Sequence, residues 1–181
     1  MGLVDELRQK HRKLWDRVVT HPFVSEMGDG SLSAEKSRTY FVQDYVFVKD
    51  LVSMTAQAMA KAPDFGSAER LNRFLTGILN PENDLFVRFF RDLEVPEEEY
   101  TSAMAAPTTR AFGDFLVRVG LEGTFEDALT VLYVTEGAYL DWGTALIREG
   151  KDPGNRVYRE WIDLHGPDAL DLRRQRHHGL L

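Results

Sequence analysis

The sequence predicts an all-α protein, a single helical bundle of about seven helices, two of them long. Helix-capping residues recur along the whole chain, whereas alternating strand patterns bounded by hairpin turns are absent. The 181 residues are 43% hydrophobic and 28% charged, which suits one globular domain with a sizeable core. We assign residues 1–168 to this domain and expect residues 169–181 to form a divergent, disordered basic tail.

The N-terminal helices are predicted from their start and stop signals. The first runs from about Leu3 to Val19 and ends at His21-Pro22. The stretch GDGS at 28–31 then makes a turn. Ser33 caps a long helix that reaches about Lys61.

Later helix starts show the same kinds of signal. Asn80-Pro81 places a capping side chain before a proline at the first helical position. Thr124 and Asp127 resemble a capping box with aspartate in the third slot. Asp152-Pro153 repeats the Asn-Pro pattern and opens a shorter helix through Trp161.

Composition excludes several classes of protein. The net charge of −7 does not suit a phosphate-binding surface, so we expect no nucleic-acid partner. The chain has no cysteine, which excludes disulfides, thiolate metal sites and a cysteine nucleophile. No apolar run approaches about 18 residues, and the N-terminus is charged where a signal peptide is apolar. We therefore expect a cytoplasmic protein without a membrane partner.

Two carboxylates interrupt apolar helix faces. Glu136 is the only charged side chain between Asp127 and Asp141, and helical spacing surrounds it with apolar and aromatic residues. In the long helix after Ser33, Asp44 points away from the polar side, and its neighbours are Tyr40, Phe41, Phe47, Val48 and Leu51. Each is either a core carboxylate held by a tyrosine or a helix terminus, or part of a small-molecule site where the two faces meet. We adopt the second interpretation.

No motif indicates a metal site or a serine nucleophile. The Glu-x-x-His and Asp-x-x-x-His spacings do not occur, and there is no glycine-rich phosphate loop or Gly-x-Ser-x-Gly elbow. Of the five histidines, His11 lies in a charged stretch, His21 precedes a proline at a helix end, and His177-His178 fall in the tail. We therefore expect no metal.

Longer motifs point to one family. HPFVSEMGDGSLSAEKSRTYFVQDYVFVKD resembles the N-terminal signature of the TenA/thiaminase II family. PTTRAFGDFL, ALTVLYVTEGAYLDW and NRVYREWIDL are similar to its later blocks, in the same order, and the match covers roughly residues 4–168. The resemblance implies a heme-oxygenase-like helical bundle and a homo-oligomer (dimer or tetramer). It also implies hydrolysis of thiamin or of aminopyrimidines without a metal or organic cofactor.

The resemblance assigns roles to single residues. Asp44 matches the family aspartate that holds the amino group and ring nitrogen of the pyrimidine. Tyr158 matches a tyrosine of the active-site wall. Phe47 and Phe112 stand where the best-known members have tyrosines, so they keep ring stacking and lose a hydroxyl.

Two departures from the family pattern concern catalysis. The family's catalytic cysteine aligns near Leu132, and Glu136 lies one helical turn later, as in the cysteine-less branch whose site uses a glutamate. The final helix of the family brings another glutamate into the pocket. Here no glutamate follows Glu160, so the tail is divergent, truncated or frameshifted.

The predicted function is a thiamin-salvage hydrolase acting on aminopyrimidine or formylaminopyrimidine breakdown products. Asp44 would bind and polarise the ring, and Glu136 would activate water or move a proton. The ring would be sandwiched by Phe47, Phe112, Tyr133 and Tyr158. The alternative is a non-catalytic or vestigial aminopyrimidine-binding protein, which the missing cysteine and final helix favour. An oxidase or heme-associated member of the wider fold group is a weaker third hypothesis, because di-iron spacings are absent.

Overall fold

The computed structural model of the chain describes residues 3–167, which form ten α-helices, one π-helical segment and no strand. The bounds are α1 Leu3–Lys10, α2 Arg12–Val19, α3 Pro22–Gly28, α4 Ala34–Ala60, α5 Phe65–Gly77, α6 Asn83–Asp92, α7 Glu97–Thr101, α8 Pro107–Glu122, α9 Phe125–Arg148 and α10 Arg156–Leu164, with the π-helical segment Ile78–Glu82 between α5 and α6. The all-α class is confirmed, with α4 and α9 as the two long helices. The predicted tail lies outside the described residues.

Several predicted helix starts are confirmed by side-chain caps. Ser33 Oγ accepts a hydrogen bond from the backbone N–H three residues later, at 3.3 Å. Thr124 and Asp127 form a reciprocal capping box at α9, with backbone N–H to side-chain oxygen distances of 2.9 and 3.1 Å. His21 Nδ1 accepts from the N–H of Phe23 at 3.1 Å, so the histidine at which the first helix was predicted to end also caps α3, a helix that was not predicted.

Two predicted starts are wrong. At Asn80-Pro81 no new helix begins, because α5 continues through the π-helical segment into α6, and the Asn80 side chain donates to the carbonyl of Thr76 at 2.9 Å. The wider π turn accommodates Pro81, which has no backbone N–H to donate. After Asp152-Pro153 the chain turns, and Asn155 caps α10 by accepting from two N–H groups at 2.8 and 3.2 Å. The predicted first helix is also divided at His11 into α1 and α2.

The described residues divide into two compact units. The first unit comprises residues 3–32 and 134–167, which hold α1–α3, α10 and the C-terminal part of α9. The second unit comprises residues 33–133, which hold α4–α8, the π-helical segment and the start of α9.

In the second unit, α4 approaches α8 closely at two glycines. A Cβ at Gly113 would lie 2.0 Å from Asp50 Oδ2, and a Cβ at Gly120 would lie 3.0 Å from Met54 Cα. The core beside this contact consists of buried apolar side chains: Leu51, Met54, Ala58, Leu71, Ile78, Leu116, Ala128 and Leu132. Each leucine, isoleucine or methionine among them contributes about 1.5–3 kcal/mol when it is fully buried. The two glycines of α8 therefore allow α8 to pack closely against α4 beside this core.

Lys61 closes the C-terminal end of α8. Its Nζ donates to three carbonyl oxygens, at 2.6 Å for Gly120, 3.1 Å for Leu121 and 2.7 Å for Gly123. A cation is favourable there because the last carbonyls of a helix lack partners within it and carry partial negative charge. We expect Lys61→Met to lower the free energy of unfolding by about 1 kcal/mol and the melting temperature by about 2–4 °C. Lys13→Met, at an exposed lysine of α2, is the control, and an equal loss in both variants would contradict this role.

In the first unit, Trp15 ties α2 to α9. Its Nε1 donates to Asp141 Oδ2 at 2.8 Å, and the same carboxylate forms an ion pair with Arg8. The Arg8 guanidinium lies over the Trp15 ring, 4.7 Å from its centroid. The ring also packs on Gly137, where a Cβ would lie 3.3 Å from it. The N-terminal helices are thus fixed to α9 at the residue that follows Glu136.

The predicted glycine turn after α3 is confirmed. Asp29 Oδ1 accepts from the hydroxyl of Ser31 at 2.6 Å and from its N–H at 3.0 Å. These two hydrogen bonds hold the pKa of Asp29 below its ordinary value. Gly30 has a φ of +77°, in the left-handed region, and a Cβ there would lie 2.1 Å from the carbonyl oxygen of Pro153. Only glycine fits this position without a shift of the backbone.

Candidate active site

Asp44 is half-buried on α4, in the second unit. Its helix neighbours Phe41 and Leu51 are buried, whereas Phe47 and Val48 are half-buried. The carboxylate therefore lies on a largely apolar side of α4. A carboxylate in such surroundings is a strong hydrogen-bond acceptor for a donor group that is itself removed from water.

Phe47 of α4 and Phe112 of α8 form a stacked pair in the same unit. Their ring centroids are 5.1 Å apart with an interplanar angle of 16°, and Phe112 is 40% exposed. A flat ring inserted between them would need about 7 Å, which is two contact distances of about 3.5 Å. The pair can therefore form one wall of a site, but it offers no slot between its own two rings.

The start of α9 supplies two further predicted positions. Leu132, near which the cysteine of the resembled family aligns, is buried in the core of the second unit. Tyr133 is 38% exposed and belongs to the same unit. An apolar side chain thus lies near the position where the cysteine of the resembled family aligns, and Tyr133 is accessible to a ligand.

Glu136 and Tyr158 belong to the first unit. Glu136 is half-buried on α9. Tyr158 is 5% exposed on α10, and its hydroxyl donates to the carbonyl of Leu32 at 3.4 Å. The hydroxyl contact restrains the Tyr158 ring, and the Asn155 cap binds the backbone N–H of the same residue.

The structure brings together only part of the predicted site. Phe47 and Phe112 are in contact, and Asp44 lies on the same helix as Phe47, one turn away. Because Asp44 belongs to one unit and Glu136 to the other, their joint action on one substrate stays a prediction.

Glu82 is a carboxylate that the sequence pattern did not single out. It ends the π-helical segment and is 7% exposed, the lowest value for any acidic side chain in the described part of the chain. It precedes Phe86 by one helical turn, and the Phe86 ring contacts Phe41 and Tyr45 of α4 at centroid distances of 6.0 and 5.4 Å. The sequence did not reveal Glu82 because a glutamate directly after a proline is typical of a solvated helix start. A π turn has no periodic pattern in the sequence that would have indicated burial.

Asp50 is a second carboxylate that the sequence did not assign to a site. Burial raises the pKa of Asp50, the nearby Asp114 carboxylate raises it further, and Lys49 opposes the change. In the helical projection Asp50 shares a polar side with Gln43 and Lys49, which is typical of a solvated face. The structure instead places part of that side against α8, since Gln43 Oε1 accepts from the N–H of Ala106 at 2.7 Å.

Among residues 3–167, no three histidine, aspartate or glutamate side chains are grouped so that they would hold a metal ion. His165 is buried, and its Nδ1 lies 2.8 Å from the carbonyl oxygen of Trp161, so a backbone group holds this ring. Within the same range, no helix is long and apolar enough to cross a membrane.

Comparison with known proteins finds relatives that match most of the chain. A model of the TENA/THI-4/PQQC family matches residues 8–178. An aminopyrimidine aminohydrolase from Halalkalibacterium halodurans is 27% identical over 170 residues, covering 94% of this chain and 76% of that protein. Another from Bacillus subtilis is 28% identical over 168 residues, covering 93% of this chain and 70% of that protein.

The fold is also similar to that of solved proteins. A solved TenA homologue from Pyrococcus furiosus matches with a TM-score of 0.82 at 24% identity, covering 99% of this chain and 83% of that one. This similarity confirms the predicted heme-oxygenase-like all-α fold. From the family match over most of its length, the chain belongs to the TENA/THI-4/PQQC family.

Proposed function

We propose that the protein is an aminopyrimidine aminohydrolase of thiamin salvage that works without a cysteine nucleophile. The observation that carries this proposal is the half-buried Asp44 on the helix of the stacked Phe47–Phe112 pair, in a member of this family. Two relatives named aminopyrimidine aminohydrolase support it, at 27% and 28% identity over most of the chain.

Asp44 recognises the pyrimidine. Its carboxylate accepts one hydrogen bond from the exocyclic amino group and one from a protonated ring nitrogen, and such charge-assisted bonds are about twice as strong as neutral ones. Phe47 and Phe112 offer an aromatic surface for the flat ring. Tyr133 and the anchored Tyr158 complete the proposed wall.

Glu136 is the proposed general base. It takes a proton from a water molecule while the water oxygen forms a bond to the carbon that carries the departing amine. The carbon–nitrogen bond breaks, and the protonated glutamate returns the proton to the amine, which leaves as ammonia. The protonated ring held by Asp44 draws electrons from this carbon during the step. No covalent enzyme intermediate is needed, which agrees with Leu132 at the cysteine position.

The proposal is tested by incubating the purified protein with aminopyrimidine, formylaminopyrimidine and thiamin. Product is followed by chromatography, and binding is followed by calorimetry. Turnover of an aminopyrimidine supports the hydrolase. Binding without turnover would overturn it in favour of the aminopyrimidine-binding protein, and absence of both would overturn either function.

Asp44→Asn is expected to weaken aminopyrimidine binding by about 10–100-fold. Asparagine keeps the shape but loses the charge that pairs with the protonated ring, and a hydrogen bond to a charged group contributes about 1.5–3 kcal/mol. Titration calorimetry measures the change. Asp84→Asn, at an exposed aspartate of α6, is the matched control. Equal affinity for the wild type and Asp44→Asn would exclude this role.

We also propose that the protein is a cytoplasmic homo-oligomer, a dimer or a tetramer. Both units carry exposed apolar side chains that a second copy would cover, among them Phe115 and Leu121 in the second unit and Leu140 and Ile147 in the first. Light scattering tests the assembly, because one chain has a mass of 20.7 kDa. A single-chain mass at micromolar concentration would contradict it.

A further inference from the structure

Asp50 fits into a notch on α8 at Gly113. A Cβ on Gly113 would lie 2.0 Å from Asp50 Oδ2 and 3.0 Å from Asp50 Cγ, but 3.5 Å from Asp50 Cβ. The first distance is too short for a carbon atom, the second is a tight contact, and the third is an ordinary contact. The carboxyl group therefore occupies the space that any other residue at position 113 would fill.

The notch lies next to the aromatic pair. Phe112 immediately precedes Gly113, and Phe47 precedes Asp50 by one helical turn. The Asp50–Gly113 contact and the Phe47–Phe112 stack are thus adjacent contacts between α4 and α8. A backbone shift at Gly113 necessarily moves the Phe112 ring relative to Phe47.

The surroundings of Asp50 disfavour its charged form. Burial raises its pKa, Asp114 on α8 raises it further, and Lys49 on α4 partly offsets the change. Groups whose pKa is shifted in this way are found often at functional sites.

We propose that Asp50 is a positioning residue of the aminopyrimidine site: its side chain fills the notch at Gly113 and sets the position of α8 at which Phe112 stacks on Phe47. This inference rests on the proposed function for its link to substrate. Asp50 acts through the aromatic wall and does not contact the reacting atoms.

The sign of the pH dependence follows from the raised pKa. The contribution of Asp50 to stability is fully present below its ordinary pKa of 3.8 and is lost as pH rises through the raised value. At neutral pH the ionised carboxylate repels Asp114, and Lys49 compensates only in part. Asp50→Asn is neutral at every pH and fills the same space. We expect this variant to melt at a higher temperature than the wild type at pH 7, with the difference shrinking as pH falls and vanishing below pH 3.8.

Gly113→Ala tests the positioning role directly. The added methyl group overlaps the Asp50 carboxyl group. Because that carboxyl group sets the position of α8 in this proposal, α8 should move, and we expect the contact between the two phenylalanine rings to be lost in nuclear Overhauser spectra. KM for aminopyrimidine should rise about 10-fold while kcat stays within about 3-fold, because the wall contributes to binding. Adding Asp50→Ala should restore the ring contact and KM, since the two Cβ atoms then lie at an ordinary distance.

Gly120→Ala is the matched control, because its Cβ would lie 3.0 Å from the backbone of Met54, which no change at Asp50 relieves. Asp50→Ala should therefore rescue Gly113→Ala and not Gly120→Ala. An unchanged ring contact in Gly113→Ala, or no rescue in the double variant, would overturn the role of Asp50. These spectra and melting curves need no substrate, so they remain decisive even if the wild type turns nothing over and the proposed function fails.

Discussion

Glu136→Gln is expected to lower kcat by about 10²–10⁴-fold while fold and aminopyrimidine binding persist. Glutamine has nearly the volume of glutamate, so the half-buried position on α9 is filled in the same way. It cannot accept a proton near neutral pH, and the attacking water then lacks its base. The expected loss corresponds to about 3–5 kcal/mol of transition-state stabilisation.

The result is read from kcat and melting temperature on one preparation of the variant. Glu126→Gln, an exposed glutamate of the same helix, is the control and should leave both quantities unchanged. A glutamate that only stabilises the core would behave in the opposite way. Unchanged turnover with a lowered melting temperature would therefore remove Glu136 from the proposed mechanism.

Gly30→Ala is expected to lower the free energy of unfolding by about 2–4 kcal/mol. Alanine at a φ of +77° is strained, and its Cβ would lie 2.1 Å from the carbonyl oxygen of Pro153. Because the obstructing atom belongs to the backbone, no side-chain rotation relieves the clash. Thermal denaturation should show a fall in melting temperature of about 5–15 °C.

Gly150→Ala separates the two causes. Gly150 has a φ of +65°, but a Cβ added there would meet no atom within 4 Å, so only the conformational strain applies. That strain alone amounts to about 1–2 kcal/mol. Equal losses in Gly30→Ala and Gly150→Ala would show that the Pro153 segment moves away at no cost.

The starts of the two long helices were predictable because a side chain caps each of them. Ser33 and the Thr124–Asp127 pair act within a few residues, so local sequence determines them. The same capping pattern occurs at Asn80-Pro81 and Asp152-Pro153, but no helix begins at either. At the first, the chain continues through a π turn, and at the second, the helix begins later, at the cap Asn155. Local capping chemistry therefore predicted the all-α class and the starts of α4 and α9, but not the π turn or the cap at Asn155.

The candidate site was predictable to a similar extent. Asp44 stood out because its own helix neighbours are apolar, which spacing alone reveals. Asp50 did not stand out in the sequence. A helical projection shows which residues lie on the same side of a helix, but it does not show which other helix packs against that side. The Asp50 contact depends on Gly113, more than sixty residues later in the chain. The stacking of Phe47 on Phe112 is long-range in the same sense, and the sequence indicated only that both rings belong to the site.

The division into two units also determines what spectroscopy detects. The three tryptophans, Trp15, Trp142 and Trp161, all lie in the first unit, and residues 33–133 contain none. Intrinsic tryptophan emission therefore follows the packing of the first unit alone, whereas far-ultraviolet circular dichroism follows the helices of both. Coincident transitions from the two signals would indicate one cooperative unfolding step. Separate transitions would give the unit that carries Asp44 a stability of its own, measurable without any label.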